Sequence, residues 1–185
     1  MAIGYESGTA GSWYNTISIG NWGWLNGASN QAFIGNSFTQ WIGGWQYWSV
    51  FSDARIKNTI QEDVKGLDFI TRLRPVTYHR SIKAMMDITG NEETPDYPGK
   101  YDVEKVKYSG FLAQEVEQAA RESGYDFSGI TAPKNSKDLY SLSYEQFVVP
   151  LVKAVQEQQQ MIDLLKKYNA ELEERLKAIE NKLAH

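Results

Sequence analysis

A chain of 185 residues with a net charge of −4, no cysteine and two histidines closes off several chemistries at once. Thiolate zinc sites and disulfide frameworks are excluded, a histidine-rich metal site is disfavoured, and the acidic balance offers no basic face to nucleic acid. No apolar run reaches the ~20 residues of a membrane span, and MAIGYESG at the start lacks the charged and apolar regions of a signal peptide, so no metal, cofactor, nucleic acid or membrane span is expected.

Composition divides the chain near residue 51. All six tryptophans (Trp13, Trp22, Trp24, Trp41, Trp45 and Trp48) lie before it, where Glu6 is the single charged residue and Gly, Ser and Asn fill most of the rest. Within this segment Asn15-Thr-Ile-Ser-Ile-Gly-Asn21 recurs as Asn30-Gln-Ala-Phe-Ile-Gly-Asn36. Alternating apolar and small polar residues followed by Gly-Asn read as short strands joined by turns. Repeats this short cannot bury a face alone, so they stack on one another or wind together with other chains. Residues 1–51 are therefore expected to be a slice of an intertwined, trimeric β-structured stalk. The plainer alternative is a small β-domain with a tryptophan core. Tryptophan faces also stack on sugars, so a host glycan is a candidate partner ranked below core packing.

Residues 52–147 mix helical and strand patterns, an α+β domain. Ile60–Arg74 reads as a helix with Val64, Leu67, Ile70 and Leu73 on one face, ended by Pro75. Val76–His79 reads as a strand, residues 89–101 as a Pro-, Gly- and acid-rich loop, and Val106–Leu112 as a second strand candidate. Ala113–Ser123 reads as a helix closed by Gly124. Leu139–Leu142 is a short strand, and Ser143, with Gln146 three residues on, reads as the cap of the last helix.

Residues 148–185 carry the clearest periodicity. Taking Val148, Val155, Ile162, Asn169, Leu176 and Leu183 as position a makes Leu151, Gln158, Leu165, Leu172 and Ile179 position d. All but Gln158 and Asn169 are apolar, a sustained heptad that predicts a coiled coil between copies of the chain. The two polar positions would set register, and Arg175 and Glu180 suit a g-to-e pair between parallel helices. The mixture of leucine and isoleucine across a and d leaves dimer and trimer both open at this point.

Ser52-Asp53-Ala54-Arg55-Ile56-Lys57 directly follows the compositional boundary. Serine and lysine suffice for a proteolytic dyad, because a neutral lysine amine takes the hydroxyl proton and Oγ attacks a carbonyl. An ordinary lysine, with a pKa near ~10.4, is neutral in only about one molecule in a few thousand at pH 7. Burial, or a nearby cation such as Arg55, would be needed to release its proton. A serine five residues before a lysine carries no information by itself.

The sequence around it does. SDARIK, then LRPVTYH, GFLAQEVEQA and LYSLSYEQFVVPLVKAVQEQQ, in that order, resembles the self-cleaving intramolecular chaperone domain of phage tail spikes and fibres, the type known from endosialidases. The resemblance runs from Ser52 to about Gln160. It implies a homotrimer that drives folding of the β-structured region before it and then cuts itself free. Carried onto this chain, it makes Phe51–Ser52 the scissile bond, Ser52 the nucleophile and Lys57 the general base. Asp53 and Arg55 match the same block as supporting or purely structural residues. His79 is an acid–base candidate weighed against an ordinary packed histidine. Gln114 and Glu115 match a block on a helix where a solvated or capping role is the default, and Tyr140 and Tyr144 are expected in the core. Its partners would be two further copies of itself and the N-terminal fibre segment, with a virion tail fibre or spike, or a bacterial surface fibre, as the setting. A non-cleaving fibre tip and a glycan-binding adhesin are the alternatives.

Overall fold

A computed structural model of the chain describes residues 1–5, 7–21, 26–90 and 95–184. They form two compact units, each drawn from separate stretches. The first comprises Met1–Asn58, Pro75–Gly110 and Ala132–Leu139, and the second Thr59–Arg74, Phe111–Thr131 and Tyr140–His185.

The first unit begins with three short parallel strands, β1 (Ala2–Ile3), β2 (Ile17–Ile19) and β3 (Ala32–Ile34). Ile17 lies opposite Ala32 and Ile19 opposite Ile34, so the two copies of the repeat stack directly upon each other. Ala2 and Ile3 lie opposite Ser18 and Ile19, which makes Ala2-Ile3-Gly4 an earlier rung of the same coil. The turns repeat with the strands. Asn15 and Asn30 both take positive φ, and the Asn15 amide donates to Asn30 Oδ1 at 3.0 Å. Gly20 and Gly35, also at positive φ, donate from their N–H groups to the carbonyls of Ile3 and Ile19 at 2.8 Å, a conformation that glycine adopts without a Cβ penalty. These strand pairs form within one chain.

The inside of this coil is polar. Ser18, Asn21 and Asn26 are fully buried. The Asn26 amide donates to the Gln31 carbonyl at 2.9 Å, and Asn21 Oδ1 accepts from Gly8 N–H at 3.3 Å. A coil this narrow turns backbone groups inward, and side-chain amides satisfy them where water cannot enter. Trp13, Trp41, Trp45 and Trp48 are all exposed, so a tryptophan core does not form among the described residues. Trp22 and Trp24 lie outside them.

The rest of the first unit is built on the antiparallel pair β4 (Val76–Tyr78) and β5 (Tyr108–Gly110), in which the rings of Tyr78 and Tyr108 stack 5.8 Å apart. Between them lie α2 (Ile82–Thr89) and the one-turn α3 (Asp102–Lys105). The sequence reading passed over α2, although its ends are marked. Ser81 Oγ accepts from Ala84 N–H at 3.2 Å, and Gly90 closes the helix in the left-handed conformation. Ile82, Val103 and Phe38 form the apolar centre.

The second unit has a conventional core of Phe69, Val116, Ala119, Ala120, Phe127 and Phe147. The expected helix over 60–74 shrinks to α1, Leu67–Ile70. The cause is tertiary. A Cβ on Gly66 would come within 2.8 Å of the Ala154 backbone nitrogen, and Leu67 N–H donates to Glu157 Oε2 at 2.7 Å. The last helix thus approaches so closely that the chain bends at Gly66 and the short helix starts beyond it. Helix α4 (Ala113–Glu122) forms as expected, and β6 (Ile130–Thr131) pairs with β7 (Ser141–Leu142). Ser143 makes no side-chain cap bond; a 3₁₀ turn over Tyr144–Phe147 leads into the last helix, and Gln146 accepts from Ser128 Oγ instead.

That helix, α5, runs from Val148 to Leu183 over 36 residues, with Pro150 buried in its first turn. Beyond Ala154 none of its side chains is buried. The predicted a and d residues Ile162, Leu165, Leu172, Leu176 and Ile179 are exposed in the single chain. The α+β fold and its long C-terminal helix therefore stand as read.

Candidate self-cleavage site

The site grows out of one tight turn. Asp53 precedes a 3₁₀ turn over Ala54–Ile56, and its carboxylate accepts from Arg55 N–H at 2.9 Å. The Asp53 and Ala54 carbonyls accept from Ile56 and Lys57 N–H at 3.2 and 3.1 Å. A 3₁₀ turn advances three residues per revolution, which brings the side chains at its two ends to one side. Lys57 Nζ donates to Ser52 Oγ at 2.7 Å as a result.

Asp53 and Arg55 form their own pair beside this contact. Arg55 Nε lies 3.0 Å from both Asp53 carboxylate oxygens. The guanidinium side chain, reinforced by the Arg55 backbone N–H, holds the Asp53 carboxyl below its usual range. Arg55 thus spends its charge on Asp53, and as a neutralised pair it is a weak source of repulsion for Lys57. Both residues shape the turn. Phe51 is 95% exposed and lies in chain without regular structure, as do the residues just before it. Ser52 and Lys57 are likewise exposed in the single chain.

His79 sits just past β4, where Nδ1 lies 3.0 Å from the Glu104 carbonyl oxygen. The Glu104 carboxylate accepts from Ile82 N–H at 2.6 Å and so caps α2. His79 is therefore tied to the packing of β4 against α2 and α3. Sequence reading missed Glu104, and a carboxylate that caps a helix 22 residues earlier in the chain leaves no local signature.

The other motif residues turn out to hold blocks together. Glu115, in the GFLAQEVEQA block, pairs with Arg74 of LRPVTYH, with Arg74 Nε donating to Oε2 at 3.1 Å. The Tyr144 hydroxyl accepts from Phe111 N–H at 3.1 Å. The Tyr140 hydroxyl donates to Glu117 Oε2 at 3.0 Å, and that bond raises the phenol above its usual range. Tyr144 is exposed and Tyr140 half-buried, so the expectation that they lie in the core is corrected: Phe147 and Phe69 fill it, and the tyrosines tie down its edge through their hydroxyls. Among the described residues no group of His, Asp or Glu side chains is placed to hold a metal, and no helix is long and apolar enough to cross a membrane.

Residues 52–125 match the family model described as chaperone of endosialidase. The matched segment is the one that resembles an intramolecular chaperone domain in sequence. The family's name is that of a peptidase family. Its match begins at Ser52 itself, and it ends at Tyr125, before the Leu139–Gln160 block and α5. No curated protein and no solved structure matches the chain. The endosialidase-chaperone segment spans both compact units and includes the Ser52–Lys57 turn, the Arg74–Glu115 pair and α4.

Proposed function

We propose that residues 52–185 trimerise through α5, guide folding of the β-coil before them, and then sever Phe51–Ser52 with Ser52 and Lys57. The observation that carries this reading is the 2.7 Å contact of Lys57 Nζ with Ser52 Oγ at the first residue of an endosialidase-chaperone segment. In the reaction, neutral Lys57 takes the Oγ proton, and Oγ attacks the Phe51 carbonyl carbon. The tetrahedral intermediate collapses with expulsion of the Ser52 nitrogen, which receives the proton from Lys57. The product is an ester between Phe51 and Ser52 Oγ. Water hydrolyses it to a Phe51 carboxylate and a chain beginning at Ser52.

The reaction needs an uncharged amine, and burial is what favours one. In this reading, assembly of three chains covers the exposed turn and desolvates Lys57, so that the cut waits for the trimer. The exposed heptad positions of α5 support the assembly step, because an apolar stripe of this length is unstable in water without a partner helix. The setting that follows is a tail fibre or spike of a virion, with the chaperone discarded after assembly.

The test is direct. Wild-type chain run on a denaturing gel gives two fragments, and Ser52→Ala or Lys57→Ala gives a single 21.0 kDa chain. Complete cleavage in either variant rules out the dyad and leaves a non-cleaving fibre tip. A second, compatible reading rests on Trp41, Trp45 and Trp48, whose rings are exposed on an uncharged stretch suited to stacking on sugar faces. Binding of the chain to a glycan array, lost in Trp45→Ala, tests it.

A further inference from the structure

Among the described residues, Phe38 is the one large side chain of the repeat region that is buried outside the coil of rungs. It is 8% exposed and lies against Ile82 of α2 and Val103 of α3, which are part of the endosialidase-chaperone segment. The rings of Tyr97 and Tyr101 meet it edge-on, with centroids 6.4 and 6.2 Å away. Lys100 is 2% exposed, and its Nζ stands 5.5 Å from the centre of the Phe38 ring. A cation over the ring and two rings set nearly perpendicular to it suit the quadrupole of an aromatic guest better than an aliphatic one.

The guest is presented rigidly. Asn36 Oδ1 accepts from Phe38 N–H at 3.0 Å, and Thr39 Oγ1 accepts from Asn36 N–H at 2.9 Å. The Asn36 carbonyl accepts from Thr39 N–H at 3.1 Å, closing the turn directly after β3. Beyond it, the Gln40 amide donates to the Gly99 carbonyl at 3.4 Å. Everything that follows, from Trp41 to Phe51, has no regular structure and is largely exposed.

We propose that the pocket of Ile82, Val103, Lys100, Tyr97 and Tyr101 is the chaperone's holding site for its client, and that Phe38 is the anchor that fills it. Residues 1–51 then stay bound after the backbone is cut before Ser52, and they leave when Phe38 withdraws. The pocket selects an aromatic residue on a tight, uncharged turn at the end of a β-coil. This inference rests on the chaperone reading above, and its test does not use the chain's own cleavage.

In the full chain carrying Ser52→Ala, a recognition sequence for a site-specific protease is inserted between Gly43 and Gly44 and cut with that protease. Native size-exclusion chromatography follows the fragment 1–43. With Phe38 intact the fragment co-elutes with the remainder. With Phe38→Ala it dissociates roughly a hundredfold faster or more, the scale expected for emptying a buried aromatic site. Phe38→Leu gives an intermediate rate, and Tyr97→Ala, which leaves the β-coil untouched, accelerates release by a smaller factor. These two variants carry the test if Phe38→Ala does not fold. Dissociation from the wild type as fast as from Phe38→Leu, or equal retention in all variants, overturns the proposal. Failure of wild-type chain to cut at Phe51–Ser52 bears on the protease reading alone.

Discussion

The coil before Ser52 and the domain after it bury opposite kinds of residue. Ser18, Asn21 and Asn26 fill the coil and its described tryptophans face outward, whereas Phe69, Phe127 and Phe147 fill the second unit in the ordinary way. The coil is held by backbone bonds and asparagine side chains stacked rung on rung, so it gains little from an apolar interior. Its apolar surface is left for something else, and so is that of α5. The difference is in pattern. On α5 the exposed apolar residues recur every seven, the pattern that suits a partner helix in the proposed assembly, while those from Trp41 to Phe51 have no period and specify no partner by themselves. A chaperone attached to such a segment supplies by covalent linkage and docking what the segment's own sequence does not.

Changes at four places break or sharpen this contrast. The largest effect is at the junction. Ser52→Ala removes the nucleophile and Lys57→Arg installs a group that stays protonated, so each abolishes the fragment that begins at Ser52, read on a denaturing gel. Next is the stripe on α5. Leu165→Asp with Leu172→Asp places charge at two d positions; the proposed assembly predicts an oligomer for the wild type and a monomer for this variant by analytical ultracentrifugation, with slower cleavage in the same sample. Gly66→Ala in the full chain pushes a methyl group against the Ala154 backbone and lowers stability by about 1–3 kcal/mol, measured by denaturant unfolding.

The smallest effect is at Asp53. Its carboxyl is held below the ordinary value of 3.8 by the Arg55 side chain and then by the Arg55 backbone N–H. A lowered folded-state pKa means a contribution present above the ordinary carboxylate range and lost as pH falls through the folded value. The turn therefore opens at a lower pH than the one at which an unpaired aspartate takes up its proton. The Arg55 Nε resonance followed by NMR checks this, and Asp53→Asn makes it insensitive to pH over the same interval.

What could be read in advance follows physical range. The heptad of α5, the stacking of the Asn15 and Asn30 repeats, α4 with its Gly124 stop, and the block order were legible because each is a local or periodic property. The helix over 60–74 was misread because its outcome depends on Glu157 and Ala154, far along the chain, meeting Gly66. Core packing ranks above glycan contact for the tryptophans because nothing in the sequence marks any of them as exposed, yet the described ones are exposed while Ser18, Asn21 and Asn26 are buried. At the site, Ser52 and Lys57 were named from a motif, and the contact between them depends on a 3₁₀ turn that Asp53 caps. Glu104, Phe38 and Lys100 were invisible, since each acts on residues distant in sequence.

Intact-mass spectrometry of freshly purified chain, with and without Ser52→Ala, tests the central claim most directly. The account predicts two species in the wild type, one ending in a Phe51 carboxylate and one beginning with the free amine of Ser52, and a single uncut species of 21.0 kDa in the variant. An uncut wild-type chain, or a break at any other bond, contradicts it.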